Sequence, residues 1–385
     1  MKPFEFYSAG RIIFGSGRFD DIGTLTKQFG KRVLIVAAQN SLRRAGILDQ
    51  LQQKLSQNGI EFEYVPSVIY EPRVEVVDQA TKQAHAYGCE VIIGMGGGSA
   101  IDTGKAISGL ITNGGSVLDY LEGVGKGAVI TRPSVPYIAI PTTAGTGAEV
   151  TKNAVIASES MRFKKSIRSP LLIPNIALID PRLSLSVPPK QTAYSGMDAL
   201  TQCIESYVSR KAQPIPEAIA LRGIRLAAES LALAYREGDN LKAREKMSLC
   251  ALLSGLALAN SGLGAAHGLG AALGALFGIP HGLACAVMLP LVMEANMRDA
   301  LRKYADVGEA LTGKRGSSDE ITARMGVDYI FNLADQMSIP KKLNELGISE
   351  ADIPLIAENS GGSSMSGNPR SFSKEELTEF LMSVF

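Results

Sequence analysis

The chain has 385 residues, with 39 Lys and Arg against 38 Asp and Glu, and 45% hydrophobic against 20% charged residues. That length leaves room for two domains with full cores, and the composition is that of a folded chain rather than a disordered one. A formal charge of +1 argues against nucleic acid or an anionic membrane as the partner.

The opening MKPFEFYSAG lacks the basic-then-apolar pattern of a signal peptide, so the expected compartment is the cytoplasm. KRVLIVAA (31–38) reads as a buried strand, 42–57 as one amphipathic helix, and EFEYVPSV (61–68) as a strand of period two. A helix is expected over 74–87, then the short apolar strand CEVIIGMG (89–96), and PYIAIPTT (136–143) repeats that form. Strands spaced by helices imply an α/β domain with a parallel sheet covered on both faces. After Asp180 the texture turns to Pro and Ser, and helical periodicity follows over 190–210, 213–236, 239–260 and 318–337. The expected division is an α/β dinucleotide-binding domain over 1–182 and an all-α metal- and substrate-binding domain over 183–385. No Asp, Glu, Lys or Arg occurs from 247 to 293, but Asn260, His267, Pro280, His281 and frequent Gly make this buried helices and not a membrane span.

Two loops carry ligand-binding chemistry. GMGGGSAIDTGKA (94–106) follows a strand and opens a helix. Glycines there let backbone N–H groups approach a phosphate, and the helix N-terminus adds a favourable dipole. Gly96, Gly97, Gly98, Ser99 and Asp102 are the candidates on it. PTTAGTGAEVTKNAVI (141–156) also follows a strand and offers Thr142, Thr143 and Thr146 at a second strand end, where open α/β sheets gather ligands. The turn is not the usual Rossmann fingerprint, because it follows the fourth strand-like run and not the first.

Of three histidines, His85 reads as an exposed helix residue. His267 and His281 fall in the charge-free stretch, where buried imidazoles need partners. Gly278, Ile279 and Pro280 should end one helix so that His281 starts the next, and two such histidines can converge on a metal. Asp198 lies in an apolar helix with Gln202 and Glu205 on its face. Asp, two His and a neutral Gln oxygen suit Fe²⁺ or Zn²⁺ with a position left open for substrate. Four cysteines are too few for a disulfide framework, and Cys203, Cys250 and Cys285 read as small buried hydrophobes.

GGGSAIDTGKA, PTTAGTGAEVT, GMDALTQCIES, the AAHGL…PHGLACAVMLP block and the closing NPRSFSKEEL together resemble the iron-containing (group III) alcohol dehydrogenase family over essentially the whole chain. The resemblance implies two domains, NAD(P)(H), a divalent metal in the interdomain cleft acting as a Lewis acid, and often a dimer or higher homo-oligomer. The expected reaction interconverts a small alcohol and its aldehyde or ketone, with no nucleic acid or membrane partner. By position, Gly97, Gly98 and Ser99 resemble the pyrophosphate loop, Thr142, Thr143 and Thr146 the second cofactor loop, and Lys164 the lysine at the nicotinamide ribose. Asp198, His267 and His281 match three metal ligands, the histidines being also the candidate catalytic residues. Gln202 stands where the family has a fourth ligand histidine, and Ala271 where it has a further one. Family members that reject NADP carry an Asp at the position of Ala38; its absence, with Gln39, Asn40 and Ser41 following and no Arg adjacent, tips the expectation toward NADP(H). A metal-independent maleylacetate-reductase-like enzyme and a dehydroquinate-synthase-like lyase are the alternatives; the lyase would need Lys and Arg around the histidine pair.

Overall fold

The computed structural model describes residues 3–65, 72–158 and 163–385. The chain divides into an α/β unit of Tyr7–Thr143 and Gly147–Val187, and a helical unit of Pro188–Phe385 with residues 3–6 and Ala144–Thr146.

In the α/β unit, alternate residues of each central strand enter different apolar clusters. Val33, Ile35, Ile93 and Ile138 pack with Leu48, Leu51 and Leu55. Leu34, Val36, Ile92 and Ala139 pack with Val77, Ala80, Ala84, Ile107 and Leu110. A strand apolar on both sides must be covered on both sides, which is why this sheet is parallel with helices on each face. Strands β1 (Arg11–Phe14), β2 (Arg32–Ala37), β3 (Glu61–Tyr64), β4 (Val91–Gly96), β5 (Tyr137–Pro141) and β8 (Ile176–Ile179) form the sheet in the order β1-β8-β5-β4-β2-β3, every neighbouring pair parallel. After β2 the chain crosses outward to β3, and after β4 it crosses the other way to β5. The crevice between the ends of β2 and β4 is therefore the switch point where such sheets bind ligands.

Several elements differ from the sequence expectation. The single helix expected over 42–57 is two, Gln39–Arg44 and Ile47–Gln57, because Gly46 between them takes a left-handed conformation (φ 68°). Strands β1 and β8 are only four residues long and escaped the periodicity reading. Past the second loop, β6 (Asn153–Ser158) and β7 (Phe163–Arg168) form an antiparallel hairpin. Of the run 61–68, residues 66–68 lie outside the described residues. The helix expected at 74–87 is Val74–Tyr87, with His85 exposed on it.

The second unit is helical, with no strand among its described residues. Its long helices are Pro189–Val208, Pro214–Arg236, Leu241–Ser261, Ala265–Phe277, His281–Asn296, Leu301–Thr312 and Asp319–Gln336. The charge-free stretch supplies much of this core, including Cys250, Ala257, Leu269, Leu273, Val287 and Met288. No single helix among the described residues is long and apolar enough to cross a membrane; Leu241–Ser261 and Ala265–Phe277 pass that test only as a pair bent by 101°.

Candidate metal centre and nucleotide turn

Three helices of the helical unit bring the metal-type donors together. Asp198 is buried midway along Pro189–Val208. His267 lies in the first turn of Ala265–Phe277. That helix ends at Phe277, with Gly278 left-handed at its C-cap (φ 67°), and Pro280 caps the next so that His281 is its first residue. Gly282 sets the approach: a Cβ there would lie 2.3 Å from the Tyr194 carbonyl oxygen, so only glycine lets His281–Asn296 come this close to the Asp198 helix.

The convergence is tight. Asp198 Oδ1 lies 3.2 Å from His267 Nε2 and 3.8 Å from His281 Nε2. The imidazole centroids are 5.4 Å apart. Tetrahedral zinc with bonds near 2.0 Å places its nitrogen and oxygen donors about 3.3 Å apart, so this donor set fits a divalent metal.

Glu205, two turns after Asp198, holds the arrangement. Its Oε1 accepts from Ala266 N at 2.6 Å and its Oε2 from Gly264 N at 3.0 Å, satisfying N–H groups at the start of Ala265–Phe277. His267 Nδ1 donates to the same Oε2 at 2.6 Å. That bond sets the ring orientation and faces Nε2 toward Asp198 Oδ1, the carboxylate–histidine support of metal sites. Gly264 is required here, since a Cβ would sit 2.8 Å from Glu205 Oε1. Asn368 adds a third anchor by accepting from Ala265 N at 3.1 Å.

Gln202 follows Asp198 by one helical turn, but its carbonyl oxygen is taken by the Ser254 hydroxyl at 2.7 Å, and its side chain helps to hold the Asp198 pKa down. Cys285 corrects the sequence reading. It is fully buried, as expected, yet its Sγ lies 3.8 Å from His281 Nε2 and not in a purely apolar environment. The signal was present in the sequence: Cys285 follows His281 by one helical turn, which puts both on one face.

The charges reinforce one another. Burial works to raise the pKa of Asp198, but the bond from His267 and the nearby His281 hold it below the usual carboxylate value. Burial opposes charge on His267, yet Cys285, Glu205 and Asp198 hold its pKa well above the ordinary histidine value. Cys285 raises that of His281, against burial. Burial would push the Cys285 thiol up, but the two imidazoles draw it down. The carboxylates of Asp198 and Glu205 thus favour positive charge at the imidazole between them.

In the α/β unit, Gly96 ends β4 with φ 151°, and Gly97 caps the helix Gly98–Asn113, which carries Ser99 in its first turn. Thr142 N donates to Gly96 O at 2.9 Å, bringing the end of β5 beside this turn. Ala38 N donates to Met95 O at 3.2 Å, placing the end of β2 on its other side. Gly97 has an ordinary φ of −78°, and a Cβ there would meet nothing nearer than Thr143 Oγ1 at 3.4 Å. The fold does not need glycine at 97; a group approaching the backbone does. These features fit a pyrophosphate.

Other candidates fall differently. Asp102 is turned to the hairpin, its Oδ2 accepting from Val155 N at 3.0 Å and its Oδ1 lying 3.7 Å from Lys105 Nζ. Lys164 lies on β7, and its charge acts on Asp102. Thr146 packs with the helical unit, whereas Thr142 and Thr143 belong to the α/β unit. Gln39 donates to Val65 O at 2.8 Å. Asn40 lines a cavity of about 350 Å³ with Arg43 and Arg44. The sequence reading placed no Arg near the end of β2; the short helix Gln39–Arg44 brings two there.

Comparison with known proteins covers both parts of the chain. Residues 9–181 match the family model described as iron-containing alcohol dehydrogenase, and residues 192–385 match the C-terminal model of the same family. A 1,3-propanediol dehydrogenase of Citrobacter freundii is 34% identical over 100% of this chain and 99% of its own. Among solved structures, a 1,3-propanediol oxidoreductase superposes with a TM-score of 0.95 at 33% identity, covering 100% of both chains. A sulfoacetaldehyde reductase from Bifidobacterium kashiwanohense, solved in complex with NAD⁺, superposes at 0.90 with 27% identity, covering 100% of this chain and 99% of its own.

Proposed function

The chain belongs to the iron-containing alcohol dehydrogenase family and is an NAD-dependent alcohol–aldehyde oxidoreductase, and on that premise we propose that Asp198, His267 and His281 hold its divalent metal and that its substrate is a small, weakly charged alcohol or carbonyl compound. The observation that carries this reading is the meeting of two imidazole nitrogens from two helices on one buried oxygen of Asp198, at 3.2 and 3.8 Å. When bound, the metal supplies Lewis-acid polarisation of the substrate oxygen, and the nicotinamide gives or takes the hydride.

The residues divide the remaining work. Asp198 provides the negative charge, and Gln202 supports it from one turn away, its own oxygen being occupied by Ser254. Glu205 orients the His267 ring so that Nε2 is the nitrogen a metal would take. The His281 side chain, 34% exposed against 4% for His267, is the member of the pair that meets the substrate. The N–H groups of Gly97, Gly98 and Ser99 hold the pyrophosphate at the start of a sixteen-residue helix. Thr142 and Thr143 line its other side. Asp102 braces the hairpin that carries Lys164, and Lys164 and Thr146 complete the cofactor site by the family resemblance.

The cofactor preference follows from the end of β2. Ala38 offers no carboxylate to repel a 2′-phosphate, and Arg43 and Arg44 line the cavity next to Asn40 with two permanent positive charges. We read the enzyme as accepting NADP(H) as well as NAD(H), and as a cytoplasmic homo-oligomer with four free cysteines suited to a reducing compartment. The test is a screen of NADH and NADPH oxidation over short aldehydes and ketones. Turnover of a small aldehyde with both cofactors is expected, and Arg43→Ala should raise KM for NADPH while sparing NADH. A hundredfold preference for NADH in kcat/KM would remove the NADP(H) part, and turnover of no carbonyl compound would remove the substrate class.

A further inference from the structure

The three donors assigned above leave one more side chain inside the same space. Cys285 Sγ, a donor atom of Asp198, and one ring nitrogen each of His267 and His281 all lie within 4.8 Å of one another. We propose that Cys285 is a fourth protein ligand of the metal, that the resulting Asp–His–His–Cys set takes Zn²⁺ in preference to Fe²⁺, and that a fifth position stays open to the substrate oxygen; this rests on the Asp198–His267–His281 site proposed above.

The separations approach those of ligands around one metal ion, all four donor atoms lying within 4.8 Å of one another. With zinc–sulfur bonds near 2.3 Å and zinc–nitrogen bonds near 2.0 Å, a sulfur and a nitrogen ligand lie about 3.5 Å apart. Sγ is 3.8 Å from His281 Nε2, and His267 Nε2 is 3.2 Å from Asp198 Oδ1. Helix geometry supplies the sulfur: His281 and Cys285 stand one turn apart on His281–Asn296, so one face presents both. The facing helix leaves room for it, because a Cβ at Gly270 would lie 3.1 Å from Cys285 Sγ. Cys203 and Cys250 show what a plain core thiol looks like in this chain: both are fully buried in the apolar cluster of the helical unit. As the sulfur–metal bond forms, the thiol proton leaves to solvent. A soft thiolate donor favours zinc over the harder-ligand chemistry of ferrous iron.

Cobalt(II) reads the ligand set without reference to activity. The full-length protein is stripped of metal with a chelator and titrated with Co²⁺. The wild type is expected to bind one equivalent, with visible bands of low-coordinate cobalt and an intense near-ultraviolet thiolate-to-cobalt charge-transfer band. Cys285→Ser should keep the visible bands, lose the charge-transfer band and bind Zn²⁺ about tenfold or more weakly in chelator competition. Its preference for Zn²⁺ over Fe²⁺ should shrink, while Cys89→Ser keeps the wild-type spectrum. One bound Co²⁺ in the wild type without a charge-transfer band overturns the Cys285 assignment and leaves the three-ligand site standing. A wild type that binds no Co²⁺ overturns both.

Discussion

Replacing Glu205 with glutamine tests whether the metal ligands are held by the backbone they grow from. The carboxylate has three partners: Ala266 N on Oε1, and Gly264 N with His267 Nδ1 on Oε2. A glutamine is nearly isosteric but has one oxygen. With that oxygen toward His267, its amide group faces the Ala266 N–H, donor against donor, in a site that is 3% exposed. Leaving a buried N–H unpaired costs about 1–3 kcal/mol, so Glu205→Gln should destabilise the helical unit by about 2 kcal/mol, or roughly 6 °C in Tm. The His267 bond also loses its charge, and metal affinity should fall by about tenfold to a hundredfold. Differential scanning calorimetry gives the first quantity, and zinc competition against a chromophoric chelator the second. A variant with wild-type Tm and wild-type zinc affinity would refute the positioning role. A variant that loses stability alone would reduce Glu205 to a helix cap.

Two further outcomes test the α/β unit. Gly97→Val should leave Tm unchanged, since φ −78° suits any residue and its nearest neighbour is 3.4 Å away, but should weaken NADH binding by about tenfold or more by filling the phosphate space; unchanged fluorescence titration would sink the assignment. Burial pushes the Glu149 carboxyl from its ordinary value of 4.5 up to about 7. The folded chain therefore keeps a proton there that the unfolded chain loses, so this contribution is complete below pH 4.5 and is lost as pH rises to about 7. Glu149→Gln should remove about 3 kcal/mol of that pH dependence, visible as a flatter plot of urea-unfolding free energy between pH 4.5 and 7. An unchanged slope would show that Glu149 does not titrate in this range.

Much of this architecture was legible because hydrophobic periodicity and helix punctuation are local signals. The break at Gly278–Pro280 and the start of a helix at His281 followed from one left-handed glycine and one proline. Gly46 carried the same kind of signal, but it sits inside an otherwise continuous amphipathic pattern. The β6–β7 hairpin was hidden because it begins inside the Thr- and Gly-rich run 141–156 and its second strand, FKKSIR, is mostly polar. At the metal centre, Asp198, His267 and His281 stood out as polar residues in apolar surroundings. Cys285 did not, because a cysteine belongs in such surroundings and only its distance to His281 distinguishes it. The Ser254 hydroxyl, which occupies the Gln202 oxygen, comes from a helix 52 residues further on, a contact no local pattern encodes.

Whether turnover depends on the metal is decided by following metal content and activity together. The wild type is assayed for aldehyde-dependent NADH oxidation before exhaustive chelation, after it, and after readdition of Zn²⁺ or Fe²⁺, with His267→Ala carried through the same steps. Activity should fall in proportion to the metal removed and return with about one equivalent per chain in the wild type, and neither metal nor activity should be retained by His267→Ala. Turnover at full rate with metal content near zero would contradict a metal-assisted mechanism at Asp198, His267 and His281.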